Sequence, residues 1–176
     1  MASLFSHPAV PLALGAIIGR ERLPAHLWVV GAVASMVPDA DVVAFLLGIP
    51  YEAPFGHRGA THSIAFAVLI AAALTLREWR NFRGRGLLFG YLFASALSHP
   101  LLDMLTDGGL GVALFWPASN ERFFFPRTPI AVSPIGGAFF SSAGLDVIVS
   151  ELRWIWLPCV AAVLLTTIIR TRTRST

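Results

Sequence analysis

The sequence has little charge, a single cysteine and no lysine. Charged residues make up 13% of its 176 residues and hydrophobic residues 56%, with a mean hydropathy of +0.71. Soluble domains carry about 25% charged residues, so these few charges cannot cover a compact soluble protein of this composition. The abundance of apolar residues also excludes a disordered chain, and a lone Cys159 excludes an intrachain disulfide. The composition predicts an integral membrane protein.

Long apolar runs without charge indicate the helices. Backbone groups in lipid must be hydrogen-bonded within their own segment, which favours helices over any open sheet. Several runs are shorter than the roughly 20 residues that cross a bilayer, so their polar ends lie at membrane depth or complete the span. The sequence contains no internal repeat. We predict an all-α, multi-pass transmembrane bundle forming a single domain over residues 1–176. Its helices are expected near residues 8–19, 23–38, 62–76, 86–105 and 154–169.

Residues 110–153 differ from these runs. They are rich in proline, glycine and aromatic residues and show no helical period. Trp116 and the cluster Phe123–Phe125 are of the kind that settles at a membrane interface. We predict that this segment is an irregular cap on the outer side.

The arginines indicate the orientation. All 13 basic residues are arginine, and the net charge is +3. If the helices alternate, nine arginines fall on one side, which the positive-inside rule makes cytoplasmic. We therefore expect the N-terminus outside and the C-terminus inside a bacterial inner membrane. Topology accounts for the basic composition, so no nucleic-acid partner is expected.

Four polar patches interrupt the apolar runs, and ionisable groups beside membrane helices are costly unless they have a partner or a function. Measured from the arginine loop at 77–85, His62 and His99 lie about 14–15 residues, or roughly 21–23 Å, away. The predicted topology thus brings all four patches to the outer side at similar depth, which predicts one shared site. The patches are SHP at residues 6–8, PDAD at 38–41, GHRGATHS at 56–63 and SHPLLDMLTDGG at 98–109.

Imidazoles and carboxylates together suit a divalent transition metal. His99 and Asp103 are spaced i, i+4 and share a helical face, although Pro100 between them predicts a kink or a fresh helix start. We expect one or two ions, with Zn²⁺ favoured over Mn²⁺ or Fe²⁺. His57 and Asp41 are either further ligands or residues that hold the ligands. The candidate metal residues are His7, Asp39, Asp41, His57, His62, His99 and Asp103.

An anion is the expected substrate group at this site. Pro8 and Thr61 are typical of helix N-termini, and two such termini pointing at the site with Arg58 favour an anionic ligand. Glu121 and Arg122 form either an ion pair on the cap or a general base and a substrate clamp. The candidate catalytic residues are Arg58 and Glu121, and the candidate substrate-binding residues are Arg58, Thr61, Thr106, Asn120 and Arg122.

The motifs PDAD, GHRGATHS, SHPLLDMLTDGG and FWPASNERFFF together resemble a family of small bacterial inner-membrane proteins. That family, formerly a domain of unknown function, is described as LexA-regulated, membrane-bound, metal-dependent hydrolases. The resemblance runs from His7 to about Trp156. It implies several transmembrane helices, a divalent metal held by the histidines and aspartates named above, and hydrolase activity. The HxxxD pair is also distantly similar to the metal sites of zinc-dependent phospholipase C and related nucleases.

The expected function is hydrolysis of an anionic amphiphile, such as a phospholipid or a lipid-linked phosphoester, by metal-activated water. Two alternatives stay open. Clusters of histidine and aspartate inside membranes also build ion pathways, so the protein is alternatively a metal-dependent binding or transport protein without hydrolytic activity. In the third case the metal only holds the helices together. The lipid bilayer is a partner in all three.

Overall fold

The computed structural model describes residues 1–134 and 136–174, which contain helices and no strand. Two isolated β-bridges pair Thr106 with Ile130 and Val112 with Phe123. The predicted all-α class is confirmed. Described in chain order, the α-helices are α1 (Ala9–Ile18), α2 (Ala25–Met36), α3 (Val43–Leu46), α4 (Ile64–Arg77), α5 (Arg85–Asp103), α6 (Ser142–Glu151) and α7 (Leu157–Arg174).

Two pairs of these helices are continuous, so the described chain has five helical segments. A 3₁₀ turn at Val37–Val42 joins α2 to α3, and a π turn at Leu152–Trp156 joins α6 to α7. Both joined segments, Ala25–Leu46 and Ser142–Thr173, are long and apolar enough to cross a membrane. Along α7 the leucines 157, 164 and 165 are about 60% exposed, as expected of a surface that faces lipid. The full multi-pass topology stays a prediction.

Helix α5 lies at the centre of the bundle, where it packs against α1, α2 and α4, while α7 packs along α1. The apolar core between them is formed by leucines 23, 27, 88 and 92 with Ala71. Glycines allow the helices to approach closely. A methyl group on Gly15 would collide with the Trp28 ring, and one on Gly31 would collide with Tyr91. The Tyr91 hydroxyl donates a hydrogen bond to the Pro11 carbonyl, 3.1 Å away, and so ties α5 to α1.

The predicted irregular cap is partly wrong, because residues 142–153 are helical and continue into α7. The charged residues Asp146, Glu151 and Arg153 interrupt the apolar run, so the sequence pattern does not predict a helix here. Glu151 is buried, and its carboxylate accepts hydrogen bonds from the Ser3 hydroxyl at 2.6 Å and the Ser6 hydroxyl at 2.8 Å. In the sequence the Glu151 charge resembles the end of an apolar helix, but in the structure it lies inside the helical segment and binds the N-terminal residues.

Two local predictions also need correction. The N-cap of α4 is Ser63, whose hydroxyl accepts from the Phe66 amide at 3.1 Å, and Thr61 does not cap this helix. Helix α5 neither stops nor restarts at Pro100, but continues to Asp103. Proline lacks only one amide donor, and the surrounding packing keeps the last turn helical.

We expect Gly31→Ala to destabilise the protein, because the added methyl group must displace Tyr91 and break its bond to α1. Overpacking of this kind costs about 1–3 kcal/mol. Gly90→Ala is the matched control, since nothing lies within 4 Å of that position in α5, and alanine there should stabilise the helix by up to about 1 kcal/mol. Thermal unfolding in detergent measures both. Equal melting temperatures for the two variants would contradict the close packing of α2 on α5.

Candidate metal centre

Four separate parts of the chain bring their histidines and aspartates to one place. His7 precedes α1, Asp39 lies on the 3₁₀ turn after α2, His62 ends the short 3₁₀ turn Ala60–His62 before α4, and His99 and Asp103 lie on the last turn of α5. All five are buried, and Asp39 is the most exposed of them at 5%. We call these five residues the central cluster.

The ligand atoms of the central cluster are spaced as a metal site requires. The Nε2 atoms of His62 and His99 lie 3.0 Å apart, and the Oδ1 atom of Asp39 lies 3.4 Å and 3.8 Å from the Nε2 atoms of His99 and His62. The Oδ2 atom of Asp103 lies 3.5 Å from the Nε2 atom of His62 and 4.0 Å from that of His99. Ligands at about 2.0–2.2 Å from a tetrahedral ion are about 3.3–3.6 Å apart. These four residues therefore fit a single divalent ion.

His7 adds a fifth potential ligand. Its Nε2 atom lies 3.8 Å from Asp39 Oδ2 and 3.7 Å from Asp103 Oδ1, and its ring stacks on that of His99 with the centroids 3.7 Å apart. Among the described residues, neither ring nitrogen of His7 has a hydrogen-bond partner, and the same holds for both carboxylate oxygens of Asp39 and the Oδ2 atom of Asp103. Buried polar atoms are nearly always paired. A cation in the cluster would give a partner to the carboxylate oxygens that face it and to the Nε2 atom of His7, since one imidazole presents only one nitrogen to an ion.

Hydrogen bonds around the cluster fix which nitrogen each imidazole presents. The Nδ1 atom of His99 is 2.7 Å from the Ser35 carbonyl, which can only accept, so Nδ1 carries the proton and Nε2 offers its lone pair. The Nδ1 atom of His62 lies 3.1 Å from Asp41 Oδ2, which has the same effect. Metal-binding histidines are commonly oriented in this way by a carbonyl or a carboxylate.

Asp41 and His57 form the layer behind the ligands. Asp41 accepts from the Thr61 hydroxyl at 2.6 Å and from the Arg58 amide at 3.1 Å, and its Oδ1 atom lies 2.6 Å from His57 Nδ1. Asp41, His57 and His62 are also close enough to share an ion. Since the Asp41 oxygens already bind these donors, the geometry favours Asp41 and His57 as residues that orient His62.

Arg58 holds Asp103 in place from within the protein. Its Nε atom lies 3.2 Å from Asp103 Oδ2, while Nη1 donates to the Gly108 carbonyl and Nη2 to the Thr106 hydroxyl, both at 2.9 Å. The side chain is completely buried, and its predicted role toward a substrate stays a prediction. Its backbone φ of 60° is unusual for a residue with a side chain, and this strained turn directs the amide to Asp41 and the guanidinium to Asp103.

The buried charge around this site is unbalanced. Three carboxylates and one guanidinium leave an excess of two negative charges when the imidazoles are neutral, and burying net charge is costly. Burial lowers the pKa of His7 to about 3, so this imidazole is neutral and able to bind a metal. Burial also opposes the charged form of His62, but its hydrogen bonds with Asp103 and Asp41 outweigh burial and raise its pKa to about 9. A divalent cation that displaces this proton from His62 would neutralise the two excess charges.

The remaining predicted residues lie outside the central cluster. Thr61 and Thr106 hold Asp41 and Arg58 as described above, which places both in the supporting layer. Arg122 donates to the His57 carbonyl at 3.0 Å and to the Tyr51 carbonyl at 2.8 Å, so it joins two loops. Glu121 and Asn120 are exposed on the 110–125 loop. In the described part of the chain, no hydrogen bond links either side chain to the cluster.

A cavity of about 280 Å³ reaches Asp39 from the surface. Its walls come from the N-terminal segment and from the turn Gly136–Phe140, and they include Phe5, Phe139 and Phe140. This cavity is largely apolar, and Asp39 is the member of the central cluster that lines it. Neither Arg58 nor Glu121, the predicted catalytic residues, lines this cavity.

Two supporting groups were missed by sequence analysis. The Ser35 carbonyl is a backbone group of α2 and leaves no signal in the sequence. Glu151 holds the segment that carries His7, through Ser3 and Ser6. The sequence does carry a signal for Glu151, because it is an acidic residue within a long apolar stretch. The prediction of a loop for residues 110–153 left this residue without a structural role.

Comparisons with known proteins give one consistent family. The family model described as YdjM inner membrane protein matches residues 1–175. The inner membrane protein YbcI of Escherichia coli (strain K12) is 44% identical over 161 residues, which cover 90% of this chain and 92% of that protein. The inner membrane protein YdjM of the same organism is 37% identical over 113 residues, covering 57% of this chain and 52% of that protein. No solved structure is significantly similar to the chain.

We expect His99→Ala to lose bound metal, because it removes a nitrogen at the centre of the cluster. Metal content per protein, measured by elemental analysis after purification with Zn²⁺, should fall at least about tenfold. His26→Ala is the control, since His26 is exposed at the start of α2. Equal metal content in both variants would contradict the assignment of the centre.

We expect Asp41→Asn to weaken metal binding without abolishing it. The amide keeps the size of the side chain but removes the charge that orients His62, and losses of such supporting groups typically cost about 10–100-fold in affinity. Competition with a chromophoric zinc chelator measures the change, with the exposed Glu52→Gln as control. An affinity equal to that of the control would show that His62 needs no such orientation.

Proposed function

The chain belongs to the YdjM inner membrane protein family, and from that premise we propose that it is a membrane-bound, metal-dependent hydrolase. In this proposal it acts on an anionic amphiphile, a phospholipid or a lipid-linked phosphoester. The observation that carries the proposal is the convergence of His7, His62, His99, Asp39 and Asp103 on one buried centre, where five of their polar atoms have no hydrogen-bond partner among the described residues.

The donor set fits a divalent ion, for which Zn²⁺ is the first candidate and Mn²⁺ or Fe²⁺ the alternatives. His62, His99, Asp39 and Asp103 would hold the ion, with His7 as a fifth ligand. When bound, such an ion supplies a Lewis acid that activates water and polarises the ester. The protein's own contribution is to orient these ligands: Ser35 and Asp41 fix the two imidazoles, and Arg58 keeps Asp103 ionised beside them.

The cavity at Asp39 supports an amphiphilic substrate. Catalytic metal sites keep one position accessible, whereas structural sites are closed. Here the accessible side is the one that Asp39 shares with the cavity, and its phenylalanine walls suit an apolar chain better than a free water-soluble anion. A headgroup would reach the centre at Asp39 while the apolar part stays among the phenylalanines.

The proposed setting is a single membrane domain in the inner membrane with the centre toward the outer side. The arginines after α1, between α4 and α5 and in the last turns of α7 lie at the opposite ends of these helices from the cluster. The positive-inside rule assigns the arginine-rich end to the cytoplasm, which puts the N-terminus outside.

A second candidate function is metal binding without hydrolysis. The ion would then be stored, transported or used to stabilise the packing of the helices. The observation in its favour is burial, because His7, His62, His99 and Asp103 have no exposed surface. The centre joins the N-terminal segment, the turn after α2, the start of α4 and the end of α5, so an ion there would also stabilise the fold.

We expect the purified, Zn²⁺-loaded protein to cleave at least one substrate in a panel of lipid phosphoesters, esters and amides. His99→Ala and a chelated sample should lose at least about 99% of that activity, since removal of catalytic groups typically costs 10²-fold or more. His26→Ala should keep it. A melting temperature that falls on chelation, together with no cleavage across the panel, would reject the hydrolase and favour the second candidate.

A further inference from the structure

The arginine-rich end of the bundle contains a cavity that the proposed function does not use. It has a volume of about 480 Å³ and lies between the loop that follows α1 and the last turns of α7. Arg20, Arg22 and Arg170 line it together with Glu21, so the lining carries more positive than negative charge. From His7 to this loop the chain runs the length of α1, about 15 Å, which separates the cavity from the metal centre.

The backbone shapes this cavity as well as the arginines. Gly19 ends α1 with a φ of +91°, a conformation that favours glycine, and its carbonyl accepts from the Leu23 amide at 2.9 Å. The Arg170 guanidinium donates to the Ile17 carbonyl, and that of Arg20 lies 5.5 Å from the Trp28 ring centroid. These contacts join the end of α1 to α7 and to α2, and they keep two guanidinium groups at the cavity.

An apolar groove runs between the same two helices. It has a volume of about 210 Å³ and is lined by Leu12 and Ala13 of α1 and by Val160, Val163 and Leu164 of α7. Along α1, Ala13 in the groove is about 7.5 Å from Ile18, which lines the arginine cavity. Along α7, Leu164 in the groove is about 4.5 Å from Thr167, which also lines that cavity. The groove and the arginine cavity therefore follow one another along the same two helices, and Leu12 and Leu164 beside the groove are exposed.

We propose that this is a binding site for an anionic phospholipid, with the phosphate in the arginine cavity and an acyl chain in the groove. Guanidinium groups bind phosphate through paired, charge-assisted hydrogen bonds. Basic pockets between membrane helices on the cytoplasmic side are suited to anionic headgroups. A soluble phosphate would explain the arginines but not the groove, and a neutral lipid would explain the groove but not the arginines. This site does not depend on the metal centre.

Native mass spectrometry of the full chain, stripped of lipid in a non-ionic detergent, tests the proposal. The probes are dioleoyl phosphatidylglycerol, dioleoyl phosphatidylcholine and inorganic phosphate. We expect phosphatidylglycerol to bind at least about tenfold more tightly than phosphatidylcholine, because only the former carries net charge for the arginines. We expect inorganic phosphate at equal concentration not to displace it.

Substitutions in the arginine cavity and in the groove test where the lipid binds. Arg22→Gln and Arg170→Gln should each weaken phosphatidylglycerol binding about fivefold, and Ala13→Phe should weaken it by filling the groove. Arg80→Gln is the control, because Arg80 is exposed in the loop between α4 and α5 outside this cavity. Equal binding of the two lipids, displacement by inorganic phosphate, or losses no greater than in the control would each overturn the proposal. Metal content should be the same in all four variants, which separates this test from that of the hydrolase.

Discussion

Buried negative charge is the constraint on which the structure depends. Asp39, Asp41 and Asp103 are buried, and such burial costs several kcal/mol for each unpaired charge. Arg58 offsets one of these charges from a distance of 3.2 Å. The remaining charge needs a cation or extra protons, and the imidazoles beside it provide nitrogen ligands once they are deprotonated. The end of the bundle opposite the arginines is therefore organised around buried carboxylates that a cation would stabilise.

Much of this arrangement could be predicted from sequence because it follows from helix direction and rise. When consecutive helices run in opposite directions, the end of one helix and the start of the next lie on the same side of the bundle. A helix of 14 or 15 residues also spans a fixed distance. That reasoning identified His7, Asp39, His62, His99 and Asp103 as residues of one side, and the structure brings the five together. It also predicted the all-α class, because an apolar chain in lipid has few other ways to satisfy its backbone.

The supporting layer and the route to the centre could not be predicted in the same way. The role of Arg58 depends on a left-handed backbone conformation at a non-glycine residue, for which the sequence carries no signal. The charged residue Glu151 was taken as part of a loop, although three hydrogen bonds from Ser3 and Ser6 compensate its burial inside a helix. The cavity beside Asp39 is lined by the N-terminal residues, the turn after α2 and residues 133–140, and no local sequence pattern predicts that these three segments meet.

The position of Asp39 decides how the centre can be used. Nearly all buried polar atoms in proteins find partners, yet both oxygens of this carboxylate face only other groups that also need a cation. Its place on the 3₁₀ turn after α2 puts it between the closed centre and the apolar cavity, so it touches both. A residue whose role is only to hold helices together would be better placed at the position of Asp103, which contacts Arg58 and does not line the cavity. The contact of Asp39 with this cavity is therefore the observation on which the proposal of a substrate from the membrane rests.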